Sequence, residues 1–134
     1  MLKLIASILL AVALGVAAWL LPLRSEQATA QAGPYHILVV KYDVVPTEID
    51  NYLAAIKELG VAMVKEPGCQ QISIAVSQKD SNHVVLFEVW DNAAALNAFL
   101  ATDRFKKYQV ATGNMISKRD VRAFSSVAIN MKGI

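Results

Sequence analysis

Residues 33–134 predict an α+β domain in which an antiparallel sheet of four strands carries helices on one face. Three observations predict it. Strand-type and helix-type runs follow one another in the order strand, helix, strand, strand, helix, strand. The two middle strands are joined by a short polar cluster, the signature of a hairpin. The strands are apolar on both parities, so one face suits helices and the other is left for a different cover. The order βαββαβ is the ferredoxin-like arrangement.

Each element follows from local chemistry. Tyr35 to Asp43 is a β-branched and aromatic run, apolar through its middle on both parities, and reads as a central strand. Val45-Pro46-Thr47 breaks it, and Thr47 with Asp50 resembles a capping box. Ile49, Tyr52, Leu53, Ile56, Leu59 and Met63 then recur at helical spacing, with Asp50, Lys57, Glu58 and Lys65 on the opposite face. Gly60 inside this helix costs about 1 kcal/mol relative to Ala and allows a close approach to the sheet. Glu66-Pro67-Gly68 ends the helix, and Pro67-Gly68 shapes the turn into the second strand.

Cys69 to Gln78 alternates, with Ile72, Ile74 and Val76 on one parity. Lys79-Asp80-Ser81-Asn82 is the turn, and His83 to Trp90 is the third strand. Asp91 or Asn92 caps a second helix over Ala93 to Ala101. Thr102-Asp103 starts a further helical stretch reaching about Met115, and Arg119 to Ile129 is the last strand. In the third strand, Val84, Leu86 and Trp90 lie on one parity and Val85, Phe87 and Val89 on the other. Helices cover only one face, and an apolar face left wet marks an interface. Two such sheets packed face to face predict a homodimer with a barrel-like core.

Of the whole chain of 134 residues, 55% is apolar, above the roughly 45–50% of soluble domains. Much of the excess sits in residues 1–32. Lys3 precedes an aliphatic run from Leu4 to Leu23 in which Ser7 is the only polar residue. Arg24-Ser25-Glu26-Gln27 then turns polar, and Ala28-Thr29-Ala30 and Ala30-Gln31-Ala32 are small-x-small cleavage patterns. This is the layout of a signal peptide, and cleavage after Ala30 or Ala32 leaves a chain starting near Gly33. The run is also long enough to span a bilayer, so residues 4–23 left uncleaved would anchor the domain to a membrane. Either way the domain is expected to be exported, periplasmic or secreted.

Composition excludes several classes. The hydrophobicity rules out disorder. The single Cys69 rules out a disulfide framework and reads as a small buried hydrophobe. The net charge is only +2. Arg104, Lys106, Lys107, Lys118, Arg119 and Arg122 are not interleaved with a row of aromatics, so they read as solvated faces and nucleic-acid binding is not expected. His36 and His83 are the only histidines, which with one Cys predicts no metal site.

One set of motifs is specific. Glu66-Pro67-Gly68-Cys69 is followed by Leu86-Phe87-Glu88-Val89-Trp90, then by Ala94-Ala95-Leu96-Asn97-Ala98-Phe99 and Thr102-Asp103-Arg104-Phe105. The set resembles the antibiotic biosynthesis monooxygenase (ABM) family, which includes small quinol monooxygenases, over roughly residues 35–128. The resemblance implies a ferredoxin-like dimeric α/β barrel with substrate between the sheet and the helices of each protomer. It also implies oxygenation of a quinol or aromatic phenol by O2 with no cofactor, the substrate supplying the electrons. A haem-degrading branch shares the fold. The chain departs from the family pattern at three positions. Phe99 and Arg104 stand where the family has His, and Leu86 stands where the polyketide-oxidising branch has Asn.

The candidate catalytic residues are Glu88, Trp90 and His36. Glu88 is a carboxylate in an apolar strand, which must be paired or neutral. It is either half of an ion pair with Lys or Arg, or a general base with raised pKa that deprotonates a phenol. Trp90 either stacks a planar substrate or packs in the core. His36 is a weaker candidate base, and His83 is expected to be exposed beside its turn. The expected substrate pocket is formed by Tyr42, Leu86, Phe99 and Tyr108. The departures at the His positions leave a non-catalytic small-molecule-binding domain as the alternative, with haem binding or degradation third.

Overall fold

The computed structural model describes residues 34–130. The proposed export segment therefore lies outside the described residues. Four strands and three helices follow one another as β1 (His36–Val44), α1 (Ile49–Met63), β2 (Cys69–Val76), β3 (His83–Trp90), α2 (Ala93–Leu100), α3 (Asp103–Thr112) and β4 (Ile116–Ser125). The strands form one antiparallel sheet in the order β2-β3-β1-β4. This is the ferredoxin-like α+β fold expected from the sequence.

The strand pairing decides what each face carries. Val40 of β1 lies opposite Leu86 of β3 and Val121 of β4, and Ile74 of β2 lies opposite Leu86. These residues share a face with Leu38, Tyr42 and Val44 of β1 and Val84 and Trp90 of β3. Tyr52, Ile56, Leu59 and Met63 of α1 and Leu96 and Phe99 of α2 close over that face and complete the core. The close approach expected at Gly60 is present: a Cβ there would stand 3.2 Å from Ile74 Cδ1. The other face of the sheet carries Ile37, Val39, Val85 and Phe87, with Lys41, Asp120, Arg122 and Phe124 around them. No element of the described residues packs over Phe87 and Phe124, which are 38% and 50% exposed.

Two caps form as expected. The Asn92 side chain accepts from the Ala95 N–H at 2.8 Å, and the Thr102 hydroxyl accepts from the Phe105 N–H at 3.2 Å. The capping box at Thr47 does not form. Pro46 instead opens a short 3₁₀ turn, Pro46–Glu48, whose fixed φ leads the chain into α1, and Glu48 at its N-cap makes no side-chain cap bond. The third helical stretch is interrupted as well: α3 ends at Thr112, and a 3₁₀ turn over Gly113–Met115 leads into β4. The last strand begins at Ile116 rather than Arg119, because Ile116 pairs with Val44 after a register shift in β1 and the Val45 N–H bonds the Met115 carbonyl at 2.8 Å.

The Glu66-Pro67-Gly68-Cys69 turn fixes the start of β2 against the end of β3. Gly68 has φ +81°, a left-handed conformation that side chains resist. A Cβ on it would also stand 2.6 Å from the Ala95 Cβ. Its carbonyl accepts from the Asp91 N–H at 2.8 Å, directly after Trp90. The turn thus ties together the two ends that bracket the Glu88–Trp90 pair.

Candidate active site

Period two along β3 places Glu88 and Trp90 on the helix-covered face. Glu88 is 4% exposed and Trp90 0%. The Trp90 indole Nε1–H donates to Glu88 Oε2 at 2.9 Å. No ion pair within the protomer accompanies this bond among the described residues. Burial raises the Glu88 pKa above the ordinary carboxylate value, opposed by the Trp90 hydrogen bond and the more distant charge of Arg119.

Glu88 borders a partly open cavity of about 130 Å³ between the sheet and the helices. The four residues expected to form a pocket, Tyr42, Leu86, Phe99 and Tyr108, all line it. They arrive from four different elements, β1, β3, α2 and α3. The tyrosine hydroxyls are not free polar ends: Tyr108 donates to the Tyr52 hydroxyl at 3.1 Å. Burial is the first cause that raises all three phenols, Tyr42 being pushed up to about 12. They stay neutral at physiological pH and offer hydrogen bonds rather than charge.

Trp90 is not among the residues lining this cavity. Its ring stacks on Phe99 with centroids 5.6 Å apart and planes 26° apart, and Phe99 in turn meets Phe105 at 5.3 Å. Phe99, where the family pattern has His, therefore fills the space beside the indole with an apolar ring. Trp90 is linked to the cavity through its hydrogen bond to Glu88. His36 lies opposite Trp90 in the β1–β3 register but does not line the cavity either. His83 is exposed, as expected, and sits between Asp43 Oδ1 at 2.6 Å and Asp80 Oδ2 at 3.1 Å at the far end of the sheet. Cys69 is half-buried, and burial pushes its thiol up to about 11, which keeps it from acting as a thiolate. No cluster of three or more metal-ligating side chains occurs among the described residues.

Arg119 is exposed, in keeping with the solvated face expected for it, but it also lies opposite Tyr42 across the β1–β4 pairing and lines the cavity with Glu88. Its guanidinium carbon is 6.0 Å from the Tyr42 ring centroid. The alternation of Arg119 with Val121 was visible in the sequence, but only the register of β4 on β1 shows which face that parity meets.

The chain is thus a ferredoxin-like α+β domain with a small cavity, lined by aromatic side chains and one carboxylate, between its sheet and its helices. The comparison with known families is specific within that fold: the antibiotic biosynthesis monooxygenase family matches residues 35–111, and the chain belongs to it. Solved structures agree. A candidate antibiotic biosynthesis monooxygenase from Nitrosomonas europaea superposes with a TM-score of 0.69 at 17% identity, over 71% of this chain and 92% of that one. A candidate enzyme of the same name from Bacteroides thetaiotaomicron gives a TM-score of 0.68 at 25% identity, over 75% and 96%. A structure described as an antibiotic biosynthesis monooxygenase gives 0.65 at 26% identity, over 69% and 99%. The first of these speaks to the fold alone. No curated protein matches the chain.

Proposed function

We propose that residues 33–134 are a cofactor-independent monooxygenase acting on a small quinol or phenol of a single aromatic ring. The observation that carries the reading is Glu88: a carboxylate held by Trp90, buried, raised in pKa and facing a cavity walled, apart from Arg119, by apolar and phenolic side chains. The cavity volume supports one ring. An engineered apolar cavity of about 150 Å³ takes up benzene, and this one is of similar size. A carboxylate whose pKa lies nearer neutrality is a better general base for a phenol than an exposed one.

The chemistry balances without a cofactor. A hydroquinone and O2 give a hydroxyquinone and water. Glu88 takes a phenolic proton, and the electron-rich ring passes electrons to O2 as a ring carbon–oxygen bond forms. The O–O bond then breaks. One oxygen stays on the ring, which loses its hydrogen and is oxidised to the quinone level, and the other leaves as water. The four electrons come from the substrate. Trp90 keeps the Glu88 carboxylate turned to the cavity, and Tyr42 and Tyr108 supply neutral hydrogen-bonding groups at its wall. Oxygen uptake with a hydroquinone panel and no added cofactor tests this. Turnover above the uncatalysed rate is expected, reduced by about 10²–10⁴ in Glu88→Gln; equal rates with and without protein would overturn it.

The Phe99 position favours a second reading, a non-catalytic binding domain. With Phe99 stacked on Trp90, no imidazole reaches the cavity. That reading predicts thermal stabilisation by single-ring phenols with no product. Haem is the least supported ligand, since no His lines the cavity and its volume is far below a macrocycle's; a flat Soret titration is expected.

The open sheet face supports a homodimer, with Phe87 and Phe124 at its centre. Light scattering is expected to give twice the protomer mass, and a monomer at all concentrations would count against it. Export by residues 1–32 rests on their signal-like pattern; a mature N-terminus at Gln31 or Gly33 in the exported fraction is the expected result.

A further inference from the structure

The cavity brings together one acid, two phenols and one cation, and only the acid and the phenols have a role in the reading above. Arg119 reaches the site from β4, the strand farthest in sheet order from the β2 edge. It shares the covered face with Tyr42, its direct partner across β1, and lines the cavity with Glu88. Among the described residues no carboxylate lies within ion-pair distance of its guanidinium. The neighbouring cations do not substitute for it. Arg104 and Lys107 line a separate open groove between α1 and α3, with Glu58 opposite them. Lys118 and Arg122 have the other strand parity and face away.

We propose that Arg119 is the anion-holding residue of this cavity, its guanidinium pairing with the ionised oxygen of a single-ring phenol. The inference rests on the reading of the cavity as a phenol site but not on turnover. Removal of a phenolic proton by Glu88 leaves negative charge on the ring oxygen in a cavity walled by Leu86, Phe99 and other apolar groups. Apolar walls solvate that charge poorly, and neutral tyrosines contribute hydrogen bonds but no opposing charge. A guanidinium at the wall, over the Tyr42 ring and free of any carboxylate partner among the described residues, offers the anion a fork of donors. Its charge also favours phenols that are acidic enough to arrive as phenolates. The groups facing the bound oxygen are Glu88 from β3, Tyr42 from β1, Tyr108 from α3 backed by Tyr52 of α1, and Arg119 from β4.

Para-nitrophenol is a probe whose absorbance reports its ionisation directly. Bound to the wild-type chain, it is expected to ionise at lower pH than it does when bound to Arg119→Gln, with a difference of about one pH unit. Arg119→Lys keeps the charge and should fall between the two. The difference should persist in a Glu88→Gln background, which separates the arginine from the base. Nitrobenzene, which has no ionisable oxygen, should bind wild type and Arg119→Gln equally. Binding of para-nitrophenol with the same ionisation midpoint in wild type and Arg119→Gln would overturn the assignment while leaving the phenol site standing. Equal weakening of para-nitrophenol and nitrobenzene would overturn it too, by giving Arg119 a purely structural role. Absence of any para-nitrophenol binding would overturn it together with the phenol-site reading.

Discussion

The two faces of the sheet break opposite rules. The helix-covered face buries what solvent usually keeps: a carboxylate and tyrosine hydroxyls around a small cavity. The open face exposes what cores usually keep, with Phe87 and Phe124 in solvent beside Arg122 and Lys41. Both departures meet in β3, where Glu88 points to one side and Phe87 to the other. One strand thus serves two environments by parity: its covered side places Glu88 at the cavity, and its open side leaves Phe87 in solvent, the two features on which the proposed chemistry and the proposed association rest.

The sharpest way to break the covered face is Trp90→Ala. It removes a fully buried ring that stacks on Phe99 and leaves Glu88 without its hydrogen-bond donor. Unfolding in urea is expected to show a loss of about 3–5 kcal/mol. Trp90→Phe fills more of the volume but lacks the N–H, so it should recover most of the stability while altering the pH dependence of turnover. The contrasting change on the open face is Phe87→Glu. It should leave the protomer folded and weaken self-association by about thirtyfold or more, corresponding to about 2 kcal/mol. Sedimentation as a function of concentration checks it. An unchanged dissociation constant would remove Phe87 from the interface.

Much of this contrast was legible in the sequence. The His83–Trp90 strand was read with its observed bounds, and its period of two put Glu88 and Trp90 on one face and Phe87 on the other. The helix caps at Asn92 and Thr102 were legible because an Asx or Thr side chain before a helical run has one obvious local use. Arg119 was not. Its place depends on the pairing of β4 with β1, a contact distant in sequence, and the start of β4 at Ile116 was hidden by the helical stretch before it. The stacking of Phe99 on Trp90 was equally out of reach, since it depends on how α2 lies on the sheet. Local signals reveal which parity a residue has; only tertiary register reveals what that parity meets.

A smaller effect tests the turn that holds the covered face in place. Gly68→Ala puts a side chain at φ +81° and against Ala95. A loss of about 1–3 kcal/mol is expected in thermal unfolding, with Asn at this position better tolerated than Ala on conformational grounds but still crowded. The smallest expected effect is the pH dependence of stability due to Glu88. Burial raises its pKa in the folded protein above its unfolded value, so the folded state holds the proton longer. The stability present below the unfolded value is lost as pH rises through the folded one. Glu88→Gln carries no titrating group and should flatten that fall. An identical pH profile for both proteins would mean that Glu88 is not desolvated.

The proposed base-driven, cofactor-free oxidation in the small cavity depends on Glu88. Oxygen uptake by purified wild type and Glu88→Gln with hydroquinone, in the presence of a metal chelator and no added cofactor, tests it most directly. Uptake matched by hydroxyquinone formation is expected in the wild type, with a fall of about 10²–10⁴ in Glu88→Gln and both proteins equally stabilised by a bound phenol. Equal uptake by the two proteins, or stabilisation of both with no uptake by either, would contradict it.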